Sequence, residues 1–132
     1  MKQIEVIIEK VEDIDFVVYP AEIEELLKDS GYPGMKVLQF AFDRADIGGA
    51  NDYLPHNYTE NCVAYTGTHD NDTTKGWYEA APEVEKDHYR RYLNVDGSNV
   101  AWDFIRLAMS SSADMAIIPL QDVLALGTEH RM

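Results

Sequence analysis

The densest concentration of side chains able to do chemistry lies in Thr66-Gly-Thr-His-Asp-Asn-Asp-Thr-Thr74, where His69, Asp70 and Asp72 fall within four positions. The segment follows Cys62 to Tyr65 (CVAY), a short apolar run that reads as a buried strand. Parallel α/β sheets and barrels place their active sites just beyond the C-terminal ends of such strands. A carboxylate there can stabilise developing positive charge or hold sugar hydroxyls, and a neighbouring histidine can donate to a hydroxyl or carbonyl oxygen. For Asp70 the functional reading is preferred. Asp72 is read as a helix cap, because Asp-Asn-Asp-Thr-Thr is rich in good capping residues. A divalent metal held by His69, Asp70, Asp72 and His56 is chemically conceivable, but the spacing matches no ligand pattern, and the reading adopted is no metal and no cofactor.

Other reactive side chains divide between function and plain structure. Glu12 and Asp13 form a second acidic pair that could supply a general acid, although in so acidic a chain such residues are usually just solvated. Phe40, Tyr53, Tyr58, Tyr65, Trp77 and Tyr78 flank the polar cluster in sequence. Their ring faces suit sugar rings, and they suit an ordinary core equally well. His88, Tyr89, Arg90 and Arg91 read as the exposed side of a helix. Cys62, inside an apolar strand with no basic partner nearby in sequence, reads as a small buried hydrophobe.

The elements that must position these groups alternate between strand and helix. Gln3 to Glu9 and Ile14 to Tyr19 are rich in β-branched residues and predict two strands. Pro20 opens a helix in which Ile23, Leu26 and Leu27 share one face, and Gly31 ends it. The nearly continuous apolar run from Met35 to Phe42 predicts a strand buried on both faces. A long loop over residues 43–61 leads to CVAY. Two helices are predicted next, over residues 82–93 and 98–113, the second capped by Ser98 and burying Val100, Phe104, Leu107 and Ala108. Ala116 to Leu120 predicts a last short strand. The fold class is therefore α/β with a parallel sheet. A closed (β/α)₈ barrel takes about 250 residues, so 132 residues suit about half of one, and no composition break argues for more than a single domain.

Charge and composition narrow the partners. The formal net charge is −13, and 45% of residues are hydrophobic. Such a field repels nucleic acid and anionic lipid but leaves a neutral sugar untouched. No run reaches the roughly 20 apolar residues of a membrane span. The start, MKQIEVIIEKVED, carries acids within its apolar stretch and no small-residue cleavage site, so it does not read as a secretory signal. One cysteine excludes an intrachain disulfide, and together these features predict a cytoplasmic protein.

Three stretches, GYPGMKVLQFAFD (31–43), YLPHNYTENCVAYTGTHDNDTTKGWY (53–78) and WDFIRLAMSSSADMAIIPLQDVLALGTEHRM (102–132), closely resemble the 4-α-glucanotransferases known as amylomaltases or disproportionating enzymes. The resemblance runs from Ala21 onward. It implies a (β/α)₈ catalytic barrel that cleaves an α-1,4-glucan, holds the fragment covalently and passes it to the 4-hydroxyl of another sugar by a retaining mechanism. The chain would correspond to about the last half of that barrel. By the same resemblance Asp70 is the family's third catalytic carboxylate, which stabilises an oxocarbenium-like transition state. His69 contacts the same sugar, Asn71 falls beside them among the substrate-binding residues, and Phe40 lines the glucan site. Glu12 stands nearest to the family's general acid/base. Its surroundings, Val11-Glu12-Asp13-Ile14-Asp15, depart from the family's Ala-Glu-Asp-Leu-Gly and lie about two residues further from the following helix.

The family's nucleophilic aspartate belongs to an earlier strand with no counterpart in this chain. Retaining transfer needs a nucleophile and an acid/base roughly 5 Å apart, so the chain alone is expected to be inactive. Half a barrel would also leave two unpaired strand edges and an apolar face. The expected remedy is a homodimer that keeps the fold without catalysis, or a module that binds α-1,4-glucan weakly.

Overall fold

A computed structural model of the chain describes residues 21–42 and 51–132. The strands expected at 3–9 and 14–19, together with Glu12, lie outside the described residues. The chain divides into two compact units, residues 1–33 and 34–132. In the first, α1 spans Ala21–Ser30. It ends as expected at Gly31, whose φ of +74° is the left-handed conformation that glycine adopts without steric cost. The Ser30 hydroxyl donates to the Leu27 carbonyl at 2.7 Å beside that turn.

The second unit is built on a three-stranded parallel sheet, β1 (Gly34–Val37), β2 (Cys62–Tyr65) and β3 (Met115–Ile117), with β2 in the centre. Gly34 stands opposite Cys62 and Val37 opposite Tyr65, while Val63 to Tyr65 pair with Met115 to Ile117. Helices α2 (Thr74–Ala80), α3 (Glu83–Leu93) and α4 (Val100–Ser110) follow β2, and the short α5 (Leu120–Val123) follows β3. This is the α/β, parallel-strand arrangement expected of a partial (β/α)₈ barrel.

Alternation along β2 sends Cys62 and Ala64 into the core and leaves Val63 and Tyr65 half buried. Phe42, fully buried, packs its ring 5.6 Å from Phe104, 5.9 Å from Tyr89 and 6.2 Å from Trp77. Val100, Phe104, Leu107 and Ala108 of α4 are all buried, as their spacing predicts.

Several local expectations are corrected. The apolar run 35–42 is not one strand, because the parallel register with β2 ends at Val37 and Tyr65. Beyond it the chain turns into a 3₁₀ segment, Leu38–Phe40, with Ala41 N–H donating to the Leu38 carbonyl. Leu38, Ala41 and Phe42 still reach the core, at helical rather than strand spacing. The strand expected at 116–120 stops at Ile117. Pro119, which has no N–H to give a ladder, instead precedes α5. The helix that the capping residues at 70–74 imply is α2, which ends at Ala80 and is distinct from the helix expected over 82–93. Ser98 does not cap α4: Asn99 holds the cap position, and the Ser98 N–H is turned to the Asp96 carboxylate. Tyr89 is not on an exposed face, being fully buried with its hydroxyl donating to the Asp103 carboxylate.

Candidate functional site

Because the three strands run parallel, their C-terminal ends share one rim, and three segments emerge there: 38–40, 66–73 and 118–122. Phe40, His69, Asp70 and Asn71 all belong to these segments. The loop after β2 carries His69 and Asp70 at its tip. His69 and Asp70 are exposed, 77% and 82% by side chain, and their Nε2 and Oδ1 atoms lie 3.3 Å apart.

The residues on either side of that tip are committed to holding it. Asn71 accepts through Oδ1 from the Thr68 N–H (2.9 Å) and the Thr68 hydroxyl (2.8 Å), closing a tight polar turn around the pair. The Arg131 guanidinium donates to the Asp70 carbonyl at 3.0 Å, so it braces the backbone and not the carboxylate. Gln39, nearly buried just before Phe40, donates to the Asp72 carbonyl at 2.8 Å.

Asp72 does not itself cap the following helix, correcting the expectation. Thr73 holds the cap position of α2 and accepts from the Gly76 N–H at 3.1 Å. Asp72 stands one residue earlier, accepting from the Thr73 N–H (2.7 Å) and the Thr128 hydroxyl (2.9 Å).

The aromatic residues divide along the two readings left open by the sequence. Tyr53, Tyr58, Trp77 and Tyr78 pack in or against the core. Burial raises the Tyr58 phenol far above its ordinary pKa. Phe40 stays 46% exposed, edge-on to Tyr53 at 5.5 Å, and the Asn51 amide holds its carbonyl at 3.0 Å. An exposed ring anchored at its backbone is suited to stacking on the C–H face of a sugar. Cys62 is buried, and that burial raises its thiol pKa, as befits an unreactive core residue.

A residue that sequence reasoning missed underlies the loop. Asp122 of α5, 1% exposed, accepts from the Thr66 hydroxyl (2.5 Å), the Thr74 hydroxyl (2.7 Å) and the Thr74 N–H (2.8 Å). Beside it is a shallow polar recess, open to solvent and lined by Thr68, Asn71, Asp72, Gln121, Asp122 and Arg131. Among the described residues no three His, Cys, Asp or Glu side chains converge as metal donors, and no helix is long and apolar enough to cross a membrane.

A family model described as 4-alpha-glucanotransferase matches residues 4–132. The chain is 50% identical over 126 residues to a 4-alpha-glucanotransferase of Thermus thermophilus, covering 89% of this chain and 25% of that protein. It is 48% identical over 120 residues to the chloroplastic/amyloplastic 4-alpha-glucanotransferase of Arabidopsis thaliana, covering 89% and 20%. Its structure is similar to an amylomaltase from Streptococcus agalactiae in complex with acarbose, with a TM-score of 0.78 at 32% identity over 86% of this chain and 23% of that one. The chain thus spans a quarter or less of the length of these relatives.

Proposed function

The chain belongs to the 4-alpha-glucanotransferase family, and from that premise we propose that it is the C-terminal barrel portion of an enzyme moving α-1,4-glucan segments by a retaining mechanism. The exposed His69–Asp70 pair, presented on a braced loop beyond the central parallel strand, carries the reading. In that role the Asp70 carboxylate stabilises positive charge developing on the sugar ring and accepts from its hydroxyls. His69 donates to the same sugar, and Phe40 gives the glucan an apolar face. Asn71 contributes its remaining amide N–H groups, since its oxygen is occupied by Thr68. Glu12 takes the acid/base role.

The nucleophile comes from the part of the barrel this chain does not match, so the chain alone performs no transfer. Incubation with maltotriose is expected to leave the sugar unchanged; the appearance of longer and shorter maltosaccharides would overturn that. Binding is tested by titrating acarbose into the chain while following backbone amide resonances. Shifts confined to Phe40 and residues 68–72 are expected, and a spectrum insensitive to acarbose would reject the site.

A second reading, self-association as a half-barrel, is favoured by exposed apolar side chains on the outer strands: Met35, Met115 and Ile117 are 54%, 55% and 44% exposed. β1 and β3 are the sheet's edges among the described residues. Light scattering that gives twice the 15.0 kDa chain mass would support a homodimer, and the chain mass would refute it. The compartment we propose is the cytoplasm, where a lone buried thiol is at home; fractionation of the host cell tests it.

A further inference from the structure

Among the described residues, every donor to the Asp122 carboxylate comes from the two ends of one loop. Thr66 is the last residue before the loop and Thr74 the first residue of α2 after it. Their hydroxyls converge on the same carboxylate oxygen, Oδ2, at 2.5 and 2.7 Å, while the Thr74 N–H takes Oδ1 at 2.8 Å. A side chain brought in from α5 therefore closes the base of residues 67–73 as a clasp. Burying a carboxylate is costly unless its lone pairs are satisfied, and apolar residues of similar volume often serve stability as well as or better than buried charge. What an apolar residue cannot do is fix where two hydroxyls and an amide stand relative to one another. The loop's tip is where His69 and Asp70 are displayed to solvent.

We propose that Asp122 is a positioning residue of the glucan site: it sets the separation of the loop's two ends and thereby the place of Asp70, without touching sugar. The inference rests on the reading of Asp70 as a sugar-binding carboxylate.

The test compares Asp122→Ala, Thr74→Val and Thr74→Ser in the 132-residue chain, with Asp103→Asn as a control that weakens a buried acceptor under Tyr89, away from the loop. Three quantities are measured: the thermal midpoint, the backbone amide shifts of residues 67–73, and the Kd for acarbose. Asp122→Ala is expected to displace the loop amides and weaken acarbose about tenfold, the equivalent of one buried hydrogen-bond set misplaced. Thr74→Val follows in the same direction, and Thr74→Ser, which keeps the hydroxyl, stays near wild type. Asp103→Asn lowers the midpoint without moving either readout. If Asp122→Ala fails to fold, the contrast between valine and serine at position 74 decides. Unchanged loop amides and affinity in Thr74→Val and Asp122→Ala, or an equal loss of affinity in Asp103→Asn, would overturn the inference while leaving the Asp70 reading intact. A wild-type chain that does not bind acarbose overturns both.

Discussion

Gln39 donates its side-chain amide to the backbone oxygen of Asp72 across 2.8 Å, joining the segment that carries Phe40 to the loop that carries Asp70. The amide also fills the space beside Gly67, where a Cβ would overlap the Gln39 nitrogen and stand 3.2 Å from its Cδ. Gly67→Ala should therefore destabilise the chain by about 1–3 kcal/mol, through overpacking. On a Gln39→Ala background the same change should cost clearly less, because the obstructing amide has gone. Urea unfolding of the four proteins in this cycle measures the coupling, and strictly additive costs would show that the two residues do not meet.

Phe40 tests the aromatic wall separately from the carboxylate. Its ring is 46% exposed and has Tyr53 as an edge-on neighbour, so Phe40→Ala should cost little stability. Loss of a stacking surface worth about 1 kcal/mol should weaken acarbose roughly fivefold. Calorimetric or resonance titration reads this directly, and an unchanged Kd would remove Phe40 from the site.

Among the described residues, two non-glycine residues occupy the left-handed region, Asn94 at φ 55° and Ala125 at φ 53°. Asparagine tolerates this conformation far better than alanine. Ala125 holds it where its N–H reaches the Asp122 carbonyl at 3.0 Å, just after α5. Ala125→Gly should raise stability by about 0.5 kcal/mol, the relief of strain exceeding the added chain entropy. Asn94→Gly should change it less. A lower thermal midpoint for Ala125→Gly would contradict this.

Burial raises the phenol pKa of Tyr58 and of Tyr89, the latter reinforced by its hydrogen bond to Asp103. An acid whose pKa is higher when folded than when unfolded favours the folded state fully below its unfolded value. That contribution is lost as pH rises past the unfolded value, near 10 for tyrosine. Stability should therefore fall above about pH 10, with two tyrosines ionising only as the chain unfolds. Ultraviolet titration of phenolate against circular dichroism checks this, and Tyr58→Phe should move the alkaline midpoint upward. Phenolate from these two residues in a still-folded chain would refute it.

The rim and the exposed His69–Asp70 loop on it were legible in the sequence because their signals are local. CVAY ends abruptly in Thr-Gly-Thr-His-Asp, and the buried positions of α4 repeat at helical spacing. Signals that depend on distant partners were not legible. Leu38 to Phe42 is mostly apolar whether it extends or coils, and the ladder with β2 ends at Val37 opposite Tyr65, a limit set by a partner strand far off in sequence. Helix α2 has seven residues with a glycine among them, too little periodicity to mark its extent. Asp122 looks like one more surface acid in a chain of charge −13, since its partners Thr74 and Thr66 lie 48 and 56 residues away. Tyr89 was hidden by its flanking His88 and Arg90, although its acceptor Asp103 is itself an acid within an apolar helix.

Cys62 sits in the central strand with 1% of its surface exposed, and burial keeps its thiol protonated. Since the thiolate is the reactive form, the chain carries its single cysteine as a silent reporter. Any reagent that modifies it counts molecules in which the sheet has already parted from its helices. The rate of that labelling is a clock for opening of the native state, running without a probe having been added to the surface.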